Sequence, residues 1–266
     1  MLDETAVRLD DIIAAVKKCG DIILFVNDAE RSMVTKAGKA NFVTKYDMAI
    51  QEALKDEFEK ILPQAQFVAE EGDCSKGAGQ GYAFIVDPID GTTNFIKNYK
   101  KSCVSAGLAR DGQMVLAVVY NPFTGEMYSA QKGGGAFLNG KQIHVSSHPL
   151  SEELVAVGTS PYNEELIDDT FDLAKTLHRA SYDIRRSGAA ALDLCDIAEG
   201  RCGLFFELQL SPWDYAAGSL IVTEAGGKVS RMDGSPLTFD KGGSVLAGNP
   251  RAYEDYFKLP GHLERK

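Results

Sequence analysis

Asp87 and Asp90 close an apolar run, Tyr82-Ala83-Phe84-Ile85-Val86-Asp87-Pro88-Ile89-Asp90-Gly91-Thr92-Thr93-Asn94. Two carboxylates at the end of a buried strand suit a hard cation held beside a phosphate. Tyr82 to Val86 is apolar and β-prone between Gly81 and Pro88, which predicts a strand rather than a helix. Pro88 bends the chain and Gly91 permits a tight turn, so the two aspartates can converge. If a helix opens at Thr92, its free backbone N–H groups favour a bound phosphate.

Two further acidic elements accompany this one. Gln66-Phe67-Val68-Ala69-Glu70-Glu71-Gly72 reads as a strand ending in carboxylates, and Ser211-Pro212-Trp213-Asp214-Tyr215-Ala216-Ala217-Gly218 as a helix with an acid in its first turn. Acids at three element ends, with no His or Cys beside them, point to Mg²⁺ and away from zinc.

In order and spacing, Glu70-Glu71, Asp87-Pro88-Ile89-Asp90-Gly91-Thr92-Thr93-Asn94-Phe95 and Trp213-Asp214 resemble the motifs of the Mg²⁺-dependent, lithium-sensitive inositol monophosphatase family. Lys36, Asn41-Phe42-Val43-Thr44-Lys45-Tyr46-Asp47 and Glu224-Ala225-Gly226-Gly227 extend the likeness nearly end to end. The resemblance implies one metal on Glu70, Asp87 and the Ile89 carbonyl, a second on Asp87, Asp90 and Asp214, and a third near Glu70 through water. It further implies that Thr92, held by Asp47, orients the attacking water with Glu70, and that the Gly91 and Thr92 amides hold the phosphate. No covalent intermediate is needed, because two cations roughly 4 Å apart can activate water on one side and neutralise the leaving alkoxide on the other. The alcohol side is implied to be Asp90, Gly188, Ala190 and Glu207, the last matching the family acid that binds inositol hydroxyls. Asn41 replaces the usual acid of its motif, and Ala189 stands where Thr is common.

Several of these residues have simpler readings. Asp47 stands three residues after Thr44, a capping-box spacing for a helix through Met48, Ala49, Leu54 and Phe58 to Pro63. Asp214 can be a first-turn acid favoured by the helix dipole, while Glu71 and Asp73 can be solvated loop acids. Cys195-Asp196-Ile197-Ala198-Glu199-Gly200-Arg201 has the spacing of a cysteine phosphatase loop, but its acids would raise the thiol pKa, and Ala191, Leu194, Cys195 and Ala198 form one helix face. Gly135 to Lys141 approaches a P-loop, yet Gln142 stands where a hydroxyl is required, and Asn139-Gly140 signals a type I′ hairpin. Haloacid-dehalogenase-type aspartates stand two apart, against three here, which disfavours an aspartyl-phosphate route.

The elements that must position these groups fit a compact enzyme. With 266 residues, 44% hydrophobic and 25% charged, the chain can bury a large core as one domain, its halves near 1–147 and 154–266 joined around His148 to Leu154. A net charge of −10 argues against nucleic-acid binding, which needs a basic face. Five cysteines without a C-x-x-C pair suggest a reducing, cytoplasmic setting. The acidic start, Met1-Leu2-Asp3-Glu4, opens an amphipathic helix with Leu9, Ile12, Ile13, Val16 and Ile23 rather than a signal peptide, and nothing reaches membrane-spanning length. Two helices come first. Strands follow near 66–70, 82–87, 103–110, 113–120 and 126–131, with Gly107 a weak point in the third. Beyond the join, strands near 154–157, 182–186, 203–207, 227–231 and 244–247 alternate with helices near 163–178, 188–199 and 213–225. Such alternation implies stacked layers in a mixed α/β (α+β) fold. The family resemblance implies a five-layer α-β-α-β-α sandwich of the sugar-phosphatase type, two to three Mg²⁺ ions, a homodimer and a small phosphomonoester substrate, inositol monophosphate first. Relatives with this core also hydrolyse fructose 1,6-bisphosphate or other sugar and nucleotide phosphates, and Lys97, Lys100 and Lys101 could bind a second phosphate. A catalytically idle metal-binding regulator is the reading from another class.

Overall fold

The computed structural model describes residues 7–26, 33–35, 42–71 and 79–260. The readings at residues 1–4, Lys36, Asn41, Gly72, Asp73 and Cys74 lie outside the described residues. Helix α1 (Leu9–Gly20) buries Ile12 and Val16 and runs on as a 3-10 turn over Asp21–Phe25 that buries Ile23. A short antiparallel pair, β1 (Met33–Thr35) and β2 (Phe42–Thr44), leads into α2 (Lys45–Ile61). Strands β3 (Gln66–Ala69) and β4 (Tyr82–Asp90) pair in parallel. The one-turn α3 (Thr92–Ile96) follows, and then β5 (Cys103–Arg110), β6 (Gln113–Asn121), β7 (Glu126–Gln131), β8 (Gly135–Leu138) and β9 (Lys141–Ile143) complete a seven-stranded sheet as an antiparallel meander.

Past the predicted join, β10 (Leu154–Val157), α4 (Ile167–Ala180), β11 (Asp183–Arg185), α5 (Ala190–Ala198), β12 (Leu204–Leu210), α6 (Pro212–Glu224), β13 (Lys228–Ser230), β14 (Gly243–Gly248) and α7 (Pro250–Tyr256) build a five-stranded sheet, ordered β11-β10-β12-β14-β13, with its helices.

Period-2 alternation explains the layering. On β4, Phe84 and Val86 pack with α1 and α2, while Ala83 and Ile85 pack with α5 and α6. On β12, Phe205 joins that central layer, whereas Leu204 and Phe206 pack with α4 and α7. The result is the α-β-α-β-α sandwich. Both sheets are covered on both faces, which is why their strands read as apolar runs, each fully buried Phe or Val contributing about 1.5–3 kcal/mol. Phe84 stacks on Phe58 of α2 with ring centroids 4.2 Å apart.

Helix α6, in the central layer, is buried almost all round. Gly107 of β5 lies beneath it and leaves room for Met114 of β6, whose methyl would sit 2.2 Å from a Cβ there. At its far end Glu224 accepts the Gly133 and Gly135 amides at 2.8 and 2.9 Å, pinning the β7–β8 turn. The strand predicted over 82–87 runs on to Asp90, and the helix predicted from residue 163 starts at Ile167 after a 3-10 turn at Glu164–Leu166. Among the described residues no helix is long and apolar enough to cross a membrane.

Candidate active site

Asp87 pairs with Ser105 and Asp90 with Cys103, so three steps along β4 oppose two along β5. That extra residue is a β-bulge. In a regular strand, residues three apart point to opposite faces; the bulge brings both carboxylates to one cavity. Pro88, which cannot donate to a ladder, sits within it. Gly91 then turns the chain with φ +83°, where a Cβ would lie 2.8 Å from the Lys101 carbonyl oxygen.

The other acids arrive from separate elements. Glu70 follows β3, and Gln51 of α2 secures the adjoining backbone by bonding both the Glu71 amide and its carbonyl. Asp47 is fully buried in the first turn of α2, its Oδ2 accepting the Thr44 amide at 2.8 Å and the Thr44 hydroxyl at 2.5 Å. Thr92 Oγ1 donates within reach of both Asp47 Oδ1 (3.4 Å) and the Ile89 carbonyl (3.1 Å). Asp214 occupies the first turn of α6, behind Pro212, and its Oδ2 accepts the Ser211 amide at 2.6 Å. The capping roles of Asp47 and Asp214 therefore coexist with their placement at the site.

Glu70, Asp87, Asp90 and Asp214 line a cavity of about 700 Å³, with Ile89, Gly91 and Thr92. Burial, followed by the charges of Glu70, Asp90 and Asp214, pushes Asp87 well above the ordinary carboxylate range. Burial raises Asp90 to about 6 despite the Ala191 amide bonded to its Oδ2 at 2.8 Å, and raises Asp214 well above normal with help from Asp90. Among the described lining residues seven carboxylates face one guanidinium, that of Arg186.

This oxygen-only donor set fits hard cations. Asp87 spends one oxygen on the Ile89 amide (3.0 Å), and no hydrogen bond among the described residues takes the second oxygen of Asp87 or Asp214. As they stand, no three described His, Cys, Asp or Glu side chains are gathered tightly enough to form a metal shell.

Glu207 lines the same cavity, buried and raised to about 7, chiefly by desolvation. Its Oε1 accepts the Ser160 amide at 2.7 Å, and it packs where Gly158 has no Cβ. Gly188, at φ +88°, and Ala190 line the cavity as well. Lys97, Lys100 and Lys101 are exposed and absent from the described lining; the Lys101 charge acts on Glu126 and Asp196 instead. Sequence reasoning missed Ser160, Tyr162, Arg186 and Asp193, which all line the cavity. Acids inside the apolar Ala190–Ala198 run were the one available signal, but they mark Asp196 as well as Asp193, and only Asp193 is among the described lining residues.

Cys195 is fully buried in α5, its thiol pushed far up by burial and then by Asp196. Arg201 of the same sequence motif pairs with Glu126, Asp196 and Glu199. Asn139 (φ +49°) and Gly140 (φ +77°) form the two-residue β8–β9 turn.

The sequence matches the inositol monophosphatase family over residues 6–259. It is 36% identical over 246 residues to the Nus factor SuhB of Escherichia coli (strain K12), covering 91% of both chains. It is 34% identical over 248 residues to the inositol-1-monophosphatase of Rhizobium meliloti (strain 1021), again with 91% of each covered. The structure of the Thermotoga maritima IMPase superposes with a TM-score of 0.87 at 30% identity, over 97% of this chain and 98% of that one.

Proposed function

The chain belongs to the inositol monophosphatase family, and on that premise we propose that it hydrolyses a polyol phosphomonoester, inositol monophosphate first, by direct attack of water. The observation that carries this reading is the convergence of Glu70, Asp87, Asp90 and Asp214 on one cavity through the β4 bulge and the first turn of α6. Glu70, Asp87 and the Ile89 carbonyl would hold one Mg²⁺, Asp87, Asp90 and Asp214 a second, and a third would sit near Glu70. When bound, these ions would supply Lewis-acid charge neutralisation for the phosphate and the departing alkoxide. Thr92 would orient water through its hydroxyl, which lies within reach of Asp47 and the Ile89 carbonyl. The Gly91 and Thr92 amides would receive phosphate oxygens, and Glu207 would accept hydroxyls of the alcohol.

The test is phosphate release from inositol monophosphate with Mg²⁺ and with chelator, in wild type and Asp87→Asn. The variant should lose at least about 10³ in kcat, several kcal/mol of transition-state stabilisation. Near-wild-type turnover in saturating Mg²⁺ would overturn the assignment, and full activity in high lithium would count against the subfamily. The relative named Nus factor SuhB favours a second reading, a regulatory role. Absence of phosphate release from every phosphomonoester tried, in protein that still binds Mg²⁺, would support it.

A further inference from the structure

The segment between β10 and α4 is tied down at several points. The Gly158 amide donates to the Phe206 carbonyl (2.9 Å), Arg186 Nη2 donates to Thr159 Oγ1 (3.1 Å), and the Ser160 amide donates to Glu207. Ser160 Oγ donates to the Gln209 carbonyl (3.2 Å) and accepts the Gln209 amide (3.0 Å). Ser160 is only 1% exposed and holds φ at +40°, a conformation a non-glycine residue keeps only when its surroundings impose it. The Asn163 amide closes the turn on the Ser160 carbonyl at 2.9 Å. Tyr162 stands within that turn, on a fixed lip of the cavity.

Tyr162 lines the cavity and is nonetheless 59% exposed. Its phenol is raised by burial and then by the charges of Glu70, Asp214, Asp87 and Asp90, which line the same cavity. Among the described residues no hydrogen bond or aromatic contact engages it. A large, exposed aromatic that lines a polar cavity from a turn its neighbours fix is suited to receive a ligand.

We propose that Tyr162 is a specificity-determining residue that packs its ring against the ring of a cyclic alcohol, selecting inositol-like or sugar-like phosphomonoesters over acyclic ones. The inference rests on the phosphatase reading of the cavity. With the phosphate held at Gly91 and Thr92 and the hydroxyls at Glu207, the remaining surface of a cyclic alcohol is the apolar C–H face, and Tyr162 is the exposed aromatic lining the cavity. Trp213 also lines the cavity, but as part of the packed central layer.

The experiment uses the full chain with Mg²⁺ and two esters, inositol 1-phosphate and acyclic glycerol 2-phosphate. Tyr162→Ala should raise KM for the cyclic ester roughly threefold to tenfold, the range of an aromatic contact, with kcat little changed and glycerol 2-phosphate unaffected. Tyr162→Phe should behave as wild type. In a parallel arm, inositol 1-phosphate should protect Tyr162 from nitration by tetranitromethane, read by peptide mass, and inorganic phosphate should not. Equal losses on both esters, no change on either, a Phe variant as impaired as Ala, or equal protection by inorganic phosphate would each overturn the proposal. If neither ester is hydrolysed but protection by the cyclic ester persists, the reaction assignment fails and the ring contact stands. If hydrolysis is normal without ring-dependent effects, the ring contact fails alone.

Discussion

Asp47 divides its two oxygens between separate tasks, Oδ2 taking the Thr44 amide at the start of α2 and Oδ1 lying 3.4 Å from the Thr92 hydroxyl. One carboxylate thus caps a helix and steadies a candidate catalytic group. Asp47→Asn should lower kcat by roughly 10² and also cost about 1 kcal/mol as its cap weakens. Thr92→Ala should match the loss in kcat with little loss of stability. Because the pair would act as one unit, the double variant should be no worse in kcat than the worse single. Multiplicative losses in steady-state assays would refute the coupling.

Cys195 is a core residue, so Cys195→Ser should leave kcat essentially unchanged while destabilising the protein by about 1–3 kcal/mol, the cost of a buried hydroxyl lacking a partner. Thermal melting beside phosphate release checks both halves. A folded but inactive variant would restore a thiol mechanism.

Glu207→Gln should raise KM for inositol monophosphate more than it lowers kcat, since an amide still donates and accepts but forfeits a charge-assisted bond worth about 1.5–3 kcal/mol. Replacing Lys100 and Lys101 by Ala should matter little, because neither side chain lines the described cavity. Measured kcat/KM for inositol monophosphate and fructose 1,6-bisphosphate decides the matter. A bisphosphate preference that collapses with the lysines, with Glu207 silent, would reverse the substrate assignment.

The buried acids give a pH dependence of definite sign. Folding raises Asp90 to about 6 and Glu207 to about 7, and it raises Asp87 and Asp214 well above their unfolded values near about 4. The folded chain therefore binds more protons than the unfolded chain across that interval. The resulting stabilisation is complete below about pH 4 and is lost as pH rises through 6 and 7. Chelator-treated protein should melt lower at pH 7.5 than at pH 5, and Mg²⁺ should raise Tm more at pH 7.5, where the carboxylates it needs are ionised. A Tm that climbs between pH 5 and 7.5 without metal would contradict this.

The parts of the site legible in the sequence are those whose local pattern and final position coincide. Asp87 and Asp90 end an apolar strand, Asp214 opens a helix behind Pro212, and Thr44 with Asp47 forms a capping box, so each was placed by its neighbours in the chain. Ser160 and Arg186 were not legible, because they are placed by contacts distant in sequence, Ser160 with β12 and Arg186 with Thr159, and Tyr162 follows within the turn that Ser160 closes. The bulge itself left only Pro88 as a trace. Helix α7 was missed although Asn249 caps it, through the Ala252 amide, and Pro250 opens it; its seven residues are too few for a periodic pattern. The lysines after Asn94 drew attention by charge alone, and charge on an exposed loop says little about which way it faces.

The first sheet contributes Glu70, Asp87 and Asp90, while Asp214 and Glu207 come from the half that carries the second. A ribosome emits the strand bearing Asp87 long before the helix bearing Asp214, and earlier segments generally fold first. A nascent chain that stops short of α6 lacks Asp214, so of the two cation sites proposed above it could complete only the one on Glu70, Asp87 and Ile89. On the proposed ligand set the second cation should act late in maturation, joining the two halves after both exist, and a truncated product would lack it.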